Sequence, residues 1–203
     1  MIKHLELSPE ERAVMRVLKD AGLLHDMKKE HFCGNETIPR KENVIYVSCC
    51  DGRHYVRSTD VFMKKYDKTH KLSFWPVPWP GGTLVFDDGS KLIKPGHTTD
   101  KDLISVIKFA LKKGYGAILA ENHFPCEAAR DNGISPIDVV ESLMNAKKRF
   151  KEKEGIETTI VSLLKVTDGE EMNIHRIPYN DYFSWKERLG YEAIQQLVAK
   201  ATK

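Results

Sequence analysis

The stretch "NVIYVSC" (residues 43–49) consists mostly of β-branched and aromatic residues and shows no polar alternation. Such a run is typical of a strand that is covered on both faces. A second apolar run, in "YGAILAENHFPC" (residues 115–126), follows a segment at residues 98–114 whose apolar side chains recur at helical spacing. Helices that alternate with apolar strands are typical of βαβ units. We therefore predict an α/β fold, with a mostly parallel sheet and helices on both faces.

The sequence patterns near the two ends of the chain predict helices. Ser8, Pro9 and Glu11 carry the signature of a capping box with proline at the first helical position, so we predict an amino-terminal helix over about residues 8–24. The tail "WKERLGYEAIQQLVAK" predicts a last amphipathic helix over about residues 184–200.

The segments between these ends are less uniform. A helix is predicted to start at Ser135, and two extended runs around an Asp168-Gly169 turn predict an edge strand or hairpin near the carboxyl terminus. The stretch rich in Pro, Gly and Trp after residue 71 predicts a short strand at residues 72–75, a glycine turn and an extended piece at residues 83–86.

Composition limits the classes of function. A chain of 203 residues is the size of one domain, so we predict a single domain over residues 1–203. The composition, with 41% hydrophobic and 30% charged residues, is ordinary for a globular protein. The 32 basic residues are spread among 29 acidic ones, so nucleic acid is not an expected partner. Because the sequence has no apolar run of signal-peptide or membrane-span length, we expect no membrane association and a cytoplasmic location. The four cysteines are then expected to be reduced thiols.

Cysteine and histidine stand where the two apolar strands end. Cys49 closes the first run, while His123 and Cys126 follow the second. The carboxyl ends of parallel strands meet at one edge of a sheet, so these side chains are expected to lie together. Two sulfurs and one imidazole are ligands that zinc favours, and three protein ligands leave one tetrahedral position open. The alternative is that the cysteines are small buried side chains and the histidine an ordinary polar residue.

The order of these residues adds a resemblance to a known family. Cys49-x-Asp51-x-Arg53 after one strand, and His123-x-x-Cys126 after a later one, resemble the two motifs of the β-class carbonic anhydrases. The resemblance implies that Cys49, His123 and Cys126 hold Zn²⁺ and that Asp51 and Arg53 form an ion-paired catalytic dyad beside it. Gly52 and Glu127 replace a serine and a glycine that are usual in the family, so the chain resembles a divergent member.

The resemblance implies a zinc lyase, a carbonate dehydratase that hydrates carbon dioxide reversibly to bicarbonate by zinc-hydroxide attack, and a homodimer or larger homo-oligomer. The altered neighbours of the motifs keep open a zinc hydrolase acting on another small electrophile, such as carbon disulfide or carbonyl sulfide. A zinc-binding homologue without turnover is the remaining alternative. Because successive side chains of a strand point to opposite faces, Cys49 and Cys50 are not expected to bind the same metal ion. Cys49 stands two residues before Asp51, as the family motif requires, so the resemblance assigns Cys49 to the metal and leaves Cys50 as a small buried residue.

Overall fold

The centre of the protein is a six-stranded sheet. The computed structural model describes residues 6–27, 43–51, 59–60, 73–94 and 96–203. In chain order the strands are β1 (His25–Asp26), β2 (Asn43–Cys49), β3 (Phe74–Trp79), β4 (Tyr115–Phe124), β5 (Thr159–Asp168) and β6 (Glu171–Arg176). Their order across the sheet is β1-β6-β5-β4-β2-β3.

The middle of the sheet is parallel. β3, β2, β4 and β5 run in the same direction, whereas β6 is antiparallel to β5 and to the two-residue β1. From β2 the chain goes to β3 on one side, and from β4 it goes to β5 on the other. The strand order therefore reverses between β2 and β4, and at such a switch point the loops diverge and leave a crevice beyond the strand ends. The predicted α/β fold, its mostly parallel sheet and the hairpin at Asp168-Gly169 are confirmed.

Six α-helices lie in the described residues: α1 (Pro9–Asp20), α2 (Thr99–Lys112), α3 (Glu127–Asp131), α4 (Pro136–Glu152), α5 (Tyr179–Leu189) and α6 (Tyr191–Thr202). The Ser8 side chain caps α1, and Glu11 completes the predicted capping box. Ser135 caps α4 in the same way, accepting a hydrogen bond from the Asp138 N–H. Within the described ranges, no helix has the length and apolar content that crossing a membrane would require.

The two faces of the sheet carry separate hydrophobic clusters. The larger one contains Ile45 and Ile118 from the sheet together with residues from all six helices. The second consists of strand residues and Met27, and Val44 and Tyr46 in it are fully buried. Helix packing is thus confirmed for the first face, and helix cover of the second face stays a prediction.

The carboxyl-terminal helix differs from the prediction of a single helix over residues 184–200. It is two helices, α5 and α6, separated at Gly190, whose φ of 81° and ψ of 151° interrupt the helical path. This backbone region is essentially restricted to glycine. The amphipathic pattern continues across the break, so it predicts one helix where the structure has two.

The segment rich in proline and tryptophan also differs from the prediction. The strand is β3, which begins two residues later than predicted and includes Pro76 and Pro78. The piece predicted as extended is a 3₁₀ helix, Gly82–Phe86, with all five residues buried. Its β-branched and aromatic residues pack between helices and sheet rather than joining a strand ladder.

The two prolines stand on the free edge of β3, the edge that pairs with no strand among the described residues. The carbonyls of Ser73 and Trp79 accept hydrogen bonds from the N–H groups of Val44 in β2 and of Cys50 just after it, at 2.9 and 3.2 Å. Because backbone groups of successive strand residues point to opposite sides, Pro76 and Pro78 face away from β2. Proline has no N–H to offer a further strand, so this edge resists extension of the sheet.

Candidate metal centre

Cys49, His123 and Cys126 come together as predicted. Their ligand atoms all lie within 4.8 Å of one another, and among the described residues no other group of three or more His, Cys, Asp or Glu has such a geometry. All three are buried, with exposed fractions of 6%, 1% and 2%. This Cys–His–Cys cluster could bind a metal ion.

The fold explains why the three residues meet. Cys49 is the last residue of β2, His123 is the second-last residue of β4, and Cys126 is the N-cap of α3. β2 and β4 are adjacent and parallel, so their carboxyl ends lie at the same edge of the sheet. The cluster thus sits at the switch point, where open α/β sheets place ligands.

Backbone N–H groups act on both thiols of the cluster. The Gly81 N–H donates to Cys49 Sγ at 3.3 Å, and the Asp51 N–H donates to the same sulfur. The N–H groups of Ala128 and Ala129, in the first turn of α3, act to lower the pKa of Cys126, without a capping hydrogen bond to its side chain. Such N–H groups stabilise negative charge on sulfur, and those that donate to Cys49 hold its sulfur in one orientation, as partners of metal-binding thiolates do.

The two thiols of the cluster shift each other's pKa in opposite directions. A hydrogen bond from Cys126 and the nearby His123 imidazole lower the pKa of Cys49, although its burial acts in the opposite direction. The same hydrogen bond, together with burial, raises the pKa of Cys126. A metal ion bound to both sulfurs needs both as thiolates, so metal binding would release the proton of any thiol that is still protonated.

A glycine pair brings the Gly81 donor to the site. Gly82 has a φ of +61°, and a Cβ there would lie 2.6 Å from the carbonyl oxygen of Glu121 and 3.0 Å from the backbone nitrogen of Cys49. The turn therefore passes directly over the ends of β2 and β4, which only glycine permits. The sequence predicted the turn at this position and gave no sign of its contact with the cluster.

Asn122 fixes the same turn to β4. Its Oδ1 accepts from the Thr83 N–H at 2.9 Å and from Thr83 Oγ1 at 2.7 Å, and its Nδ2 donates to the Val139 carbonyl at 2.8 Å. Asn122 and Thr83 are almost fully buried. The residue before His123 thus ties β4 to the 3₁₀ helix and to α4. No motif in the sequence pointed to this role.

The structure describes only some of the other predicted site residues. Asp51 is half-buried and lies directly beyond β2, with its N–H on Cys49. Arg53 and Gly52 lie outside the described residues, so the predicted Asp51–Arg53 dyad stays a prediction. The buried packing role predicted for Cys50 is wrong, because its thiol is exposed. Alternation along the strand turns Cys50 away from Cys49, and this direction leads to solvent at the end of β2.

A cavity of about 480 Å³ contacts the cluster at Cys126. Phe124, Ile134 and Val139 supply part of an apolar wall. Arg130 also lines the cavity, and its guanidinium is paired with Glu11 at 2.6 Å. The space is large enough for a small molecule beside the cluster.

No known protein family, curated protein or solved structure matches this chain. The chemistry of the cluster therefore follows from its donor set. Two sulfurs bound to one zinc ion at about 2.3 Å in tetrahedral geometry lie about 3.8 Å apart. The three donor atoms of the cluster all lie within 4.8 Å of one another. Small side-chain adjustments therefore bring them to the spacing that zinc requires. Soft thiolates with one imidazole suit zinc and other thiophilic ions. The residues present fit zinc without identifying it.

Proposed function

We propose that this protein is a zinc-dependent lyase that hydrates carbon dioxide reversibly to bicarbonate. The observation that carries the proposal is the buried Cys–His–Cys cluster at the switch point, with Asp51 two residues after Cys49. Three protein donors are the number found in catalytic zinc sites, whereas structural zinc sites usually have four. The resemblance of the two motifs to those of the β-class carbonic anhydrases supports the same reading.

Zinc held by Cys49, His123 and Cys126 would supply the Lewis acidity that makes water nucleophilic near neutral pH. The protein's own residues would orient the reactants. Asp51 has a carboxylate that can accept a hydrogen bond from the attacking water and direct a lone pair toward carbon. Water adds to carbon dioxide through a new C–O bond, and one proton leaves to solvent as bicarbonate forms.

The surroundings of the cluster favour a small, weakly polar substrate. The cavity at Cys126 has an apolar wall, and its arginine is already neutralised by Glu11. A larger anion would find no unpaired cation among these lining residues. A neutral molecule such as carbon dioxide needs none. Carbonyl sulfide and carbon disulfide share these properties, and they belong in the same assay as competing substrates.

A zinc-binding protein without turnover is the second candidate. The near-complete burial of all three donors favours it, because catalytic sites must admit water and substrate. This candidate predicts one bound zinc per chain and no hydration at any pH from neutral upward.

Metal analysis and stopped-flow hydration kinetics test the proposal. Wild-type protein is expected to carry one zinc per chain and to hydrate carbon dioxide. Cys49→Ser should lose zinc and activity, whereas Cys50→Ser, which changes the adjacent exposed thiol, should keep both. Absence of zinc from the wild type would overturn the proposal and the second candidate together.

Asp51→Ala separates catalysis from metal binding. We expect this variant to keep its zinc and lose most of its hydration activity, because the carboxylate orients the nucleophile and is not among the three cluster donors. Zinc-loaded wild type that turns over only the sulfur compounds would contradict hydration as its activity. The homodimer and the cytoplasmic location stay predictions, and sedimentation equilibrium measures the first.

A further inference from the structure

Three polar side chains are buried together on the second face of the sheet. Tyr46 Oη donates to Glu121 Oε2 at 2.7 Å, and Lys165 Nζ donates to Glu121 Oε1 at 2.6 Å. The lysine and glutamate side chains are 1% and 0% exposed, and Tyr46 is fully buried. This Tyr46–Glu121–Lys165 cluster joins β2, β4 and β5, which are adjacent parallel strands of the sheet.

The cluster lies next to the metal-binding residues in the strand register. Glu121 is two residues before His123 on β4, and Lys165 is the direct cross-strand neighbour of His123 on β5. Tyr46 stands on β2, the strand that ends with Cys49. The three side chains therefore connect the strand that carries one thiol to the strand that carries the imidazole, close to where both strands end.

Packing alone does not require these polar groups. The same face also carries apolar residues, among them Leu119, Val161 and Leu163. Taking two charges out of water is costly, and replacing a buried ion pair by apolar residues of similar volume is often neutral or stabilising. The best attested use of buried ionic groups is to fix one register against alternatives, because an apolar contact tolerates small shifts that would break a hydrogen-bonded ion pair.

We propose that Tyr46, Glu121 and Lys165 are positioning residues that fix β2, β4 and β5 relative to one another, so that Cys49 and His123 meet at metal-binding distance. The inference builds on the proposed metal site. On the opposite face Asn122 fixes the same part of β4 to the 3₁₀ helix and α4. The backbone that leads into His123 is thus held from both faces by consecutive residues.

Two variants test the inference. The first replaces the cluster by apolar residues of similar size: Tyr46→Phe, Glu121→Leu and Lys165→Met. The second, Glu121→Gln with Lys165→Met, keeps a partner for Tyr46 and serves if the first does not fold. The readouts are Co²⁺ and Zn²⁺ affinity by competition with a chromophoric chelator, the absorption spectrum of the Co²⁺ form, and thermal unfolding of the metal-free protein.

Both variants are expected to bind either metal about 10- to 100-fold more weakly, the range seen when partners that orient metal ligands are removed. The Co²⁺ spectrum should shift because the donors no longer meet in one geometry. The triple variant should meanwhile unfold at or above the wild-type temperature when metal-free. Weaker binding at undiminished stability is the combination that a merely structural role does not produce.

A second ion pair serves as the matched control. Arg149 and Asp100 are each 9% exposed and pair at 2.5 Å between α4 and α2. Arg149→Met with Asp100→Leu should leave metal affinity and the Co²⁺ spectrum unchanged. If wild type binds metal and both cluster variants bind it equally well with the same spectrum, the inference fails while the proposed function stands. If wild type binds neither ion, the proposed function fails as well.

Discussion

The close approach of Gly82 to the strand ends allows a quantitative test. In Gly82→Ala, the new Cβ would lie 2.6 Å from the Glu121 carbonyl oxygen and 3.0 Å from the Cys49 nitrogen. Both distances are well inside the roughly 3.5 Å at which nonbonded atoms reach their optimal separation. Because both neighbours are backbone atoms, no side-chain rotation relieves the contact. The turn has to move away from the sheet.

Two effects add up in this variant. A residue other than glycine at a φ of +61° costs about 1–2 kcal/mol, and forced repacking of a tight contact costs about 1–3 kcal/mol. We expect the free energy of unfolding to fall by about 2–5 kcal/mol. For a chain of this size each kcal/mol lowers the unfolding temperature by about 2–4 °C. Displacement of the turn also withdraws the Gly81 N–H from Cys49, so metal affinity should fall.

Gly155→Ala isolates the backbone contribution. Gly155 has a φ of +63°, and a Cβ there meets no atom within 4 Å. This variant should lose only the first contribution, about 1–2 kcal/mol, and should bind metal like wild type. The assay is urea unfolding of chelator-treated protein, followed by metal titration. Equal destabilisation by the two substitutions, with unchanged metal affinity in Gly82→Ala, would refute the reasoning.

Three further perturbations follow from the structure. Asn122→Ala leaves the Thr83 N–H and a buried carbonyl without their partner and should cost about 2–4 kcal/mol in urea unfolding; a loss under 1 kcal/mol would contradict the role of the amide. Pro76→Val with Pro78→Val restores N–H groups on the free edge of β3 and should produce concentration-dependent association in sedimentation velocity, so an unchanged sedimentation profile would argue against edge protection. Gly190→Ala should cost about 1–3 kcal/mol in thermal unfolding, because alanine does not tolerate the backbone between α5 and α6; a neutral result would show that the two helices can join.

The three residues of the Cys–His–Cys cluster could be predicted because their positions follow from topology. Strands as apolar as β2 and β4 had to be buried and parallel, and parallel strands end at one edge. Cys49, His123 and Cys126 therefore converge whatever the loops between them do. Their positions at the ends of two such strands are sufficient to predict the cluster from the sequence.

The surroundings of the cluster could not be predicted in the same way. Thr83 and Phe86 belong to a segment with strand-like composition, yet they form a 3₁₀ helix because tertiary packing outweighs a short local preference. Asn122 and Glu121 act through partners far away in the chain, and a single sequence gives no sign of such pairings. The exposure of Cys50 depends on where β2 stops, and strand ends are the least reliable part of any pattern.

The distribution of the donors along the chain makes complete metal binding depend on folding. In an unfolded chain only His123 and Cys126 lie close together, and bringing Cys49 to them requires closure of a long loop with its loss of entropy. Pairing of β2 with β4 performs that closure in the native protein. A growing or unfolded chain thus offers a weak two-donor site, and the complete site exists only once the centre of the sheet has assembled. Whether the protein retains a metal ion in the presence of a chelator would therefore indicate whether β2 and β4 have paired.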